Sequence, residues 1–255
     1  MPRLAAGVSA VVLAALPLAA PAAFMTSVPA SARAPAVAVY VAKPRGDGPF
    51  PAVLLLHGCG GFNAYGAYVA DRFSARGYVG VALDALGPNE PDGACTNPAG
   101  AGTEAAAARA TLAWLRTQKY VEPDKLGVVG FSMGGIALLD LIDSRDAKAE
   151  PPAGLRAAVA YYPACEDRGS AIAVPLAIFD GDADTVTPSA PCAALVKAAT
   201  AAGKTAQITT YPGATHGFNV PGPDRDFFGQ PIRFDASAAE DSAKATALFL
   251  DRYLK

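Results

Sequence analysis

The chain has 255 residues, of which 52% are hydrophobic and 17% are charged, and its formal net charge is −2. Such a balanced charge, without any basic run, gives no basis for a nucleic-acid partner. The length fits one large domain or two small ones, and α/β folds often use this length as a single domain. The apolar fraction is sufficient for a sizeable buried core.

The first 32 residues have the layout of a secretory signal peptide. An early arginine precedes an apolar stretch, and small residues with A-x-A spacing follow, among them Ala30–Ala32. The alternative is an uncleaved membrane anchor, but Pro17 and Pro21 interrupt an apolar run that is short for a membrane span. We therefore expect residues 1–32 to be removed and residues 33–255 to form one secreted or periplasmic domain without stable membrane association.

Strand-type and helix-type segments alternate along the remaining chain. Continuous apolar runs of strand length end at turn residues, and alanine-rich helical segments end at glycines such as Gly77 and Gly203. The predicted strands cover residues 36–42, 51–58, 79–86, 125–131, 157–162, 174–181 and 206–213. The predicted helices cover residues 68–78, 103–118, 134–143, 190–203 and 236–254, with Thr103 as the cap of the second. This alternation predicts an α/β fold with a mostly parallel, doubly wound sheet and helices on both faces.

One serine lies at a junction between a predicted strand and a predicted helix. Gly130-Phe131-Ser132-Met133-Gly134 fits the pattern G-x-S-x-G, in which a sharp turn exposes the serine hydroxyl. The flanking glycines permit the close approach of strand and helix, and the amide of Met133 would face a tetrahedral oxyanion. The alternative is an ordinary tight turn in which Ser132 caps the helix.

A nucleophilic serine needs a base, and the chain has two histidines, His57 and His216. In this type of site the residues follow the order serine, acid, histidine, which selects His216. The acid is expected after the preceding strand, where Asp180, Asp182 and Asp184 are candidates. We favour Asp184 because it lies furthest along the loop, whereas Asp180 suits hydrogen bonds to backbone amides of the turn. Its task is to hold one tautomer of the imidazole.

The second histidine ends a core strand in the segment LLLHGCGGFN. The glycines of this segment allow a sharp turn, and we expect the backbone amide of Cys59 to be the second oxyanion donor. His57 is interpreted as a structural residue that bonds the backbone of the loop. The competing interpretation, Cys59 as nucleophile, leaves the turn at Ser132 without a purpose.

These segments resemble the dienelactone hydrolase family of the α/β-hydrolase superfamily. LLLHGCGGFN, VGVALDALGP, KLGVVGFSMGG, FDGDADTVTP and YPGATHGF occur in that family's order and approximate spacing, over about residues 35–255. The resemblance implies an α/β-hydrolase fold without a large cap domain. It also implies Ser132 as nucleophile, Asp184 as acid, His216 as base, and the backbone amides of Cys59 and Met133 as oxyanion donors.

The namesake enzymes of the family carry cysteine where Ser132 stands and a glutamate in the loop where HGCGG stands. A serine at this position is more typical of the esterases. We therefore expect a hydrolase that cleaves carboxylic ester or lactone bonds of small molecules through an acyl-enzyme, without metal or cofactor. The alternatives are a peptidase, thioesterase or acyltransferase on the same triad, or a catalytically silent fold used for binding.

The insertions between the predicted elements bear on the substrate. Residues 163–173 are too few for a cap domain, so we expect an open site that takes small or extended soluble esters. The segments 87–102 and 219–235 remain as pocket walls. Phe218, Phe227 and Phe228 are either the lining of an acyl pocket or ordinary packing under a long loop.

All four cysteines lie beyond residue 32, and an even number in an exported protein favours disulfides. No C-x-x-C spacing occurs, and two histidines are too few for the usual zinc sites. Cys165 and Cys192 follow two consecutive predicted strands and flank the predicted acid loop, and they are predicted to pair if those strands are neighbours in the sheet. Cys59 and Cys95 either pair or stay free. The alternative for all four is a buried, unpaired thiol.

Overall fold

Strands and helices alternate along the computed structural model, which describes residues 22–32, 34–87, 100–145, 150–166, 170–227 and 229–255. The strands are β1 (Ala22–Val28), β2 (Val37–Lys43), β3 (Phe50–Leu56), β4 (Val79–Asp84), β5 (Val121–Phe131), β6 (Leu155–Tyr161), β7 (Leu176–Gly181), β8 (Ala206–Tyr211), β9 (Arg225–Phe227) and β10 (Gln230–Ile232). The helices are α1 (Ala64–Ala75), α2 (Gly100–Leu115), α3 (Met133–Ile142), α4 (Ser189–Ala201) and α5 (Ala236–Leu254).

Eight strands form one sheet in the order β1-β2-β4-β3-β5-β6-β7-β8. Strands β3 to β8 run parallel to one another, and β1 and β2 add an antiparallel edge. The strand order reverses between β3 and β5, and loops outside the carboxyl ends of parallel strands at such a point form the usual ligand site.

The sheet carries a hydrophobic core on each face. One core joins the sheet to α2, α3 and α4 through residues such as Leu112, Leu138 and Leu195. The other core joins the sheet to α1 and α5 through residues such as Phe73 and Leu250. Because both faces are covered, the central strands are continuous apolar runs, as in other parallel sheets. The predicted α/β-hydrolase architecture is confirmed, and the described residues form no large cap domain.

Two local features differ from the sequence-based expectations. Helix α2 begins at Gly100, so Thr103 lies inside the helix and does not cap it as predicted. The hairpin of β9 and β10 was not predicted; it lies within the segment expected to form a pocket wall. Most of the other expected wall, residues 88–99, falls outside the described residues.

The edge strand β1 lies within the region interpreted as a signal peptide. Ala22–Val28 pairs antiparallel with β2, but only Val28 is buried and most of the strand is exposed. Among the described residues, no helix is both long enough and apolar enough to cross a bilayer.

The predicted pair Cys165 and Cys192 forms a disulfide, with the two Cα atoms 5.0 Å apart. It joins the loop after β6 to α4, so the polypeptide between the two cysteines includes β7 and the predicted acid loop. Cys59 is also disulfide-bonded. Cys95 lies outside the described residues.

Candidate active site

Ser132 occupies the turn between β5 and α3. Its backbone has φ 52° and ψ −114°, a conformation that costs energy for any residue with a side chain. A Cβ atom at Gly130 would lie 2.2 Å from the carbonyl oxygen of Gly134, and one at Gly134 would lie 2.5 Å from the carbonyl oxygen of His57. A side chain at either position would collide with backbone, because β5 approaches the first turn of α3 and α3 approaches the end of β3. Both positions therefore require glycine.

Three side chains from three loops meet at the carboxyl edge of the sheet. His216 follows β8, and its Nε2 lies 2.8 Å from Ser132 Oγ, while its Nδ1 lies 2.8 Å from Asp184 Oδ2. A carboxylate accepts hydrogen bonds, so Nδ1 carries the hydrogen and Nε2 is left as the acceptor for the serine hydroxyl. Asp184 and His216 are 5% and 6% exposed, which shields their contact from water.

The loop after β7 supplies donors to the carboxylate of Asp184. Its Oδ1 accepts hydrogen bonds from the amides of Val186 and Thr187, at 2.8 and 2.9 Å. The other two candidate acids are used elsewhere: Asp180 accepts from the amide of Gly181, and Asp182 accepts from that of Gly213. Of the three candidates, Asp184 is thus the one that contacts the imidazole.

The hydroxyl of Thr187 contacts both members of the Asp184–His216 pair. Its Oγ1 lies 3.0 Å from Asp184 Oδ2, 3.1 Å from His216 Nδ1 and 3.0 Å from the carbonyl oxygen of Tyr162. The hydroxyl has one hydrogen, which it donates to one of the two oxygens, and a lone pair that can share the Nδ1 hydrogen. Thr187 therefore restrains the relative position of the acid and the imidazole.

Tyr162 supports His216 from another side. Their ring centroids lie 4.6 Å apart in an edge-on arrangement, and the backbone of Tyr162 has φ 39°, unusual for a residue with a side chain. The Tyr162 hydroxyl donates to Asn219 Oδ1 at 2.6 Å, and Asn219 Nδ2 donates to the hydroxyl of Tyr65 at 2.8 Å. This chain of hydrogen bonds fixes the tyrosine against the imidazole.

A cavity of about 640 Å³ opens beside the serine. Ser132 and His216 line it together with Cys59, from the loop after β3, and the hairpin residues Arg225 and Ile232. From the predicted wall 219–235, Val220, Asp226 and the hairpin residues thus line the cavity. Phe227 also lines it, Phe218 is fully buried in the core between aromatic rings, and Phe228 lies outside the described residues.

The two residues predicted to supply oxyanion donors belong to elements next to the serine. Met133 is the first residue of α3, and amides in the first turn of a helix have no acceptor within the helix. Cys59 lines the cavity that Ser132 lines. The positive end of the α3 dipole also faces this corner, which favours a developing negative charge.

His57 bonds two backbone groups of neighbouring loops, in agreement with its structural interpretation. Its Nε2 accepts from the amide of Ala85 at 3.1 Å, and its Nδ1 donates to the carbonyl oxygen of Gly58 at 2.7 Å. Burial lowers the pKa of this imidazole, so it stays neutral at neutral pH. His57 thereby connects the loop of Cys59 to the end of β4.

A buried carboxyl group on α2 accompanies His57. Glu104 is fully buried, and its Oε1 lies 3.5 Å from His57 Nδ1. Neither carboxyl oxygen has a hydrogen-bond partner among the described residues. Burial raises the pKa of Glu104 well above its usual range, so we treat this carboxyl as neutral.

A second buried carboxyl group, that of Asp180, lies near the proposed acid Asp184. Asp180 at the end of β7 is fully buried, and its Oδ2 has no partner among the described residues. Burial is the larger cause and the negative charge of Asp184 the smaller one; together they raise the pKa of Asp180 to about 8. Asp180 is therefore protonated at neutral pH, which leaves Asp184 without a charged neighbour at this position.

Sequence reasoning missed several of these supporting residues. Glu104 could have been found from helical periodicity, because it shares a buried stripe with Ala107, Ala108, Thr111 and Leu115. Thr187, Tyr162 and Asn219 gave no such signal, because their contacts join loops that are distant in the chain.

The strand–turn–helix at Ser132, the doubly wound sheet and the loop order of the three side chains define an α/β-hydrolase. The model of the dienelactone hydrolase family matches residues 37–254, and the chain belongs to this family. It is accordingly a hydrolase of ester or lactone bonds.

A protein of Synechocystis sp., provisionally named carboxymethylenebutenolidase, is 28% identical over 236 residues, which are 81% of this chain and 87% of that protein. A crystal structure of a provisionally named dienelactone hydrolase from Klebsiella pneumoniae superposes with a TM-score of 0.74 at 20% identity, over 92% of this chain and 100% of that one. Esterase 2 of Thermogutta terrifontis, phosphoramylated by tabun, superposes with a TM-score of 0.68 at 20% identity, over 94% and 97% of the two chains. At these identities the structural likenesses show the fold alone.

Proposed function

We propose that this protein hydrolyses small carboxylic esters or lactones through an acyl-enzyme formed on Ser132. The observation that carries the proposal is the hydrogen-bonded series Ser132 Oγ, His216 Nε2, His216 Nδ1 and Asp184 Oδ2, beside an open cavity. A silent binding fold would have no need for a strained serine whose hydroxyl is bonded to a buried imidazole.

In the proposed first step, Ser132 Oγ attacks the substrate carbonyl while His216 Nε2 takes the hydroxyl proton. The carbonyl oxygen becomes an oxyanion and accepts hydrogen bonds from the amides of Cys59 and Met133. Asp184 stabilises the imidazolium from the Nδ1 side. The carbonyl re-forms as the alcohol leaves with the proton from His216, and the acyl group stays on the serine oxygen.

In the proposed second step, water attacks the acyl-enzyme. His216 Nε2 takes a proton from the water, and the same two amides hold the second oxyanion. The serine oxygen then leaves with the proton from His216, and the carboxylic acid is released. For a lactone the alcohol is part of the same molecule, so the product is a single hydroxy acid. This chemistry needs neither metal nor cofactor.

The shape of the cavity favours small or extended soluble substrates. A volume of about 640 Å³ is within the range of ordinary small-molecule sites, and no large cap domain is present among the described residues. The name carboxymethylenebutenolidase refers to a lactone, which supports lactones as a candidate class for this chain as well.

A panel of p-nitrophenyl esters from acetate to hexadecanoate tests the activity and the chain-length preference. We expect turnover that is fastest for the shortest acyl chains and lost in Ser132→Ala, and labelling of Ser132 by a fluorophosphonate probe. A steep preference for the hexadecanoate ester would contradict the proposed substrate size. Absence of both labelling and turnover in the folded protein would favour a silent binding fold.

A parallel panel of thioesters and peptides separates the remaining alternatives. A thioesterase, peptidase or acyltransferase would use the same triad but prefer another acyl donor or acceptor. We expect oxygen esters and lactones to give the highest kcat/KM. A higher value for a peptide or a thioester would assign the protein to that class instead.

We further propose that the enzyme acts outside the cytoplasm, on the basis of the signal-like residues 1–32 and the disulfide of Cys165 and Cys192. The amino-terminal residue of the exported protein tests this proposal. Cleavage after Ala32 would remove β1, whose residues before Val28 contribute little buried surface. An intact first residue on a membrane-bound protein would support the anchor alternative.

A further inference from the structure

A second cavity, of about 500 Å³, lies between α1 and α5 on the face of the sheet that these two helices cover. Its floor consists of buried side chains from the helices and from β5 and β6, among them Phe73, Val129, Phe131 and Tyr161. It is nearly as large as the cavity at Ser132 and mainly apolar, and such cavities bind small molecules with a substantial apolar part.

The solvent side of this cavity combines exposed aromatic and cationic residues. Tyr68 and Phe234 line it and are 54% and 40% exposed, so its aromatic lining extends to the protein surface. Arg72 and Lys244 also line it, are exposed, and have no ion-pair partner among the described residues. The single acidic residue in the described lining is Glu240.

A third cation stands close by, since Arg76 also lines the cavity. Its guanidinium lies 3.5 Å from Asp251, so part of its charge is already compensated. The lining therefore has an excess of positive charge beside an apolar floor, which favours a ligand with one anionic group.

Two polar groups belong to the same lining. Asn219, which is 6% exposed, donates one Nδ2 hydrogen to the hydroxyl of Tyr65, and its second Nδ2 hydrogen has no acceptor among the described residues. The half-buried Tyr65 likewise has no acceptor for its hydroxyl hydrogen among the described residues. Unused donors in the lining of a cavity favour a ligand that brings its own acceptor.

We propose that this cavity is a second ligand site and that it takes an amphipathic monocarboxylate with a single apolar chain. The chain lies on the aromatic floor, and the carboxylate binds Arg72 and Lys244, because a guanidinium pairs with a carboxylate through two parallel hydrogen bonds. A neutral chain of the same length lacks the ion pairs, and a cationic one is repelled.

The site is separate from the cavity at Ser132, although Tyr65 and Phe131 form part of both linings. The proposal does not depend on the proposed esterase activity, because binding can be measured without turnover. The proposal places the ligand in the cavity between α1 and α5, and substitutions in each of the two cavities can test this position.

Isothermal titration calorimetry with octanoate on the full-length protein tests the proposal. We expect one equivalent to bind the wild type. Removal of both cations in Arg72→Ala/Lys244→Ala should weaken binding at least tenfold, which corresponds to about 1.4 kcal/mol. Ala243→Trp, which places a large side chain in the lining of this cavity, should abolish binding.

Two matched controls complete the experiment. Lys197→Ala removes an exposed lysine on α4, outside the lining, and should leave the affinity unchanged. Val220→Trp obstructs the cavity at Ser132 and should also leave it unchanged. Thermal melting confirms that each variant is folded. If Ala243→Trp does not fold, the double variant Arg72→Ala/Lys244→Ala still tests the proposal, because both of its substitutions are at exposed positions.

Three results would overturn the proposal. The first is no binding of octanoate by the wild type. The second is equal affinity for octanoate and octanol, because the cations then contribute nothing. The third is loss of binding in Val220→Trp but not in Ala243→Trp, which would place octanoate in the cavity at Ser132.

Discussion

The molecule contains two buried pairs of a histidine and a carboxyl group, and they behave differently. His216 Nδ1 lies 2.8 Å from Asp184, and its Nε2 meets the hydroxyl of Ser132. His57 Nδ1 lies 3.5 Å from Glu104, and its Nε2 accepts a hydrogen bond from a backbone amide. The residue types are alike, but only the first imidazole contacts a side-chain hydroxyl from which it could take a proton.

The surroundings of the two carboxyl groups explain the difference. Asp184 receives two amide hydrogen bonds and lies beside the hydroxyl of Thr187, groups that stabilise a negative charge. Neither carboxyl oxygen of Glu104 has a hydrogen-bond partner among the described residues, and burial raises its pKa well above the usual range, so we treat the carboxyl as neutral. A charged acid stabilises an imidazolium, whereas a neutral one leaves its imidazole neutral. The two pairs thus differ in the hydrogen-bond donors around the carboxyl group and not in their residue types.

The largest expected effect separates the two histidines. His216→Gln should lower kcat/KM for p-nitrophenyl acetate by about 10⁴-fold or more, because the serine loses its base. His57→Gln should cost far less, since it only loosens the attachment of the Cys59 loop to β4. Melting curves control for folding. An equal loss of kcat/KM in the two variants would contradict the assignment of one catalytic and one structural histidine.

The next comparison is between the two carboxyl groups. Asp184→Asn should lower kcat by about 10³- to 10⁴-fold, because an amide neither stabilises the imidazolium nor fixes the tautomer. Glu104→Gln should change kcat less than about threefold, because it replaces a neutral carboxyl by a neutral amide of the same shape. A large loss of kcat in Glu104→Gln would mean that this carboxyl acts in its charged form.

The third prediction concerns the pH dependence of stability. The pKa of Asp180 is about 8 in the folded protein, above its unfolded value near 4, so the folded state keeps a proton that the unfolded state releases. This contribution to the free energy of unfolding is fully present below about pH 4. It falls by up to about 1.4 kcal/mol per pH unit until about pH 8. Urea unfolding from pH 5 to pH 8 should therefore show a smaller pH dependence in Asp180→Asn than in the wild type.

Two further variants define the origin of this effect. The exposed Asp47→Asn should retain the wild-type pH dependence. Asp184→Asn should lower the pKa of Asp180, because it removes the neighbouring negative charge, and should shift the end of the transition to lower pH. An unchanged slope in Asp180→Asn would show that another group causes the pH dependence.

The smallest expected effect concerns Thr187. Thr187→Val removes the hydroxyl that restrains Asp184 and His216, and kcat/KM should fall by about tenfold, the equivalent of one hydrogen bond. Thr187→Ser keeps the hydroxyl and should remain within about threefold of the wild type. The pH profile of kcat/KM distinguishes a positioning role of Thr187 from a general loss of structure. Only loss of the contact to His216 should shift the acidic limb of that profile.

Sequence patterns were sufficient for the features that depend on local order. The parallel strands are continuous apolar runs, the glycines beside Ser132 identify the turn, and the order of segments selected, of the two histidines, the one that contacts Ser132. The disulfide of Cys165 and Cys192 followed from two cysteines placed after neighbouring strands. For the strands and the turn the physical cause, burial on both faces or a close backbone approach, acts over a few consecutive residues. The histidine and the disulfide followed instead from the order of segments along the chain.

Other features were beyond the reach of local patterns. The start of α2 at Gly100 contradicts the expected cap at Thr103. Gly100 is buried and Ala101 packs against the core, contacts that the cap preference of threonine does not report. The contact of Thr187 with His216 joins residues 29 positions apart, and no periodicity reports it. The second cavity depends on the spacing of α1 and α5, which are far apart in the sequence.

The disulfide of Cys165 and Cys192 makes the chain between them a covalent ring. Asp184 and Thr187 are both carried on that ring, and Tyr162 lies three residues before its closure. Ring closure requires an electron acceptor, so maturation of the acid loop is coupled to the oxidising power of the surroundings in which the chain folds. A chain kept reduced lacks this constraint on the backbone that carries the carboxylate of Asp184.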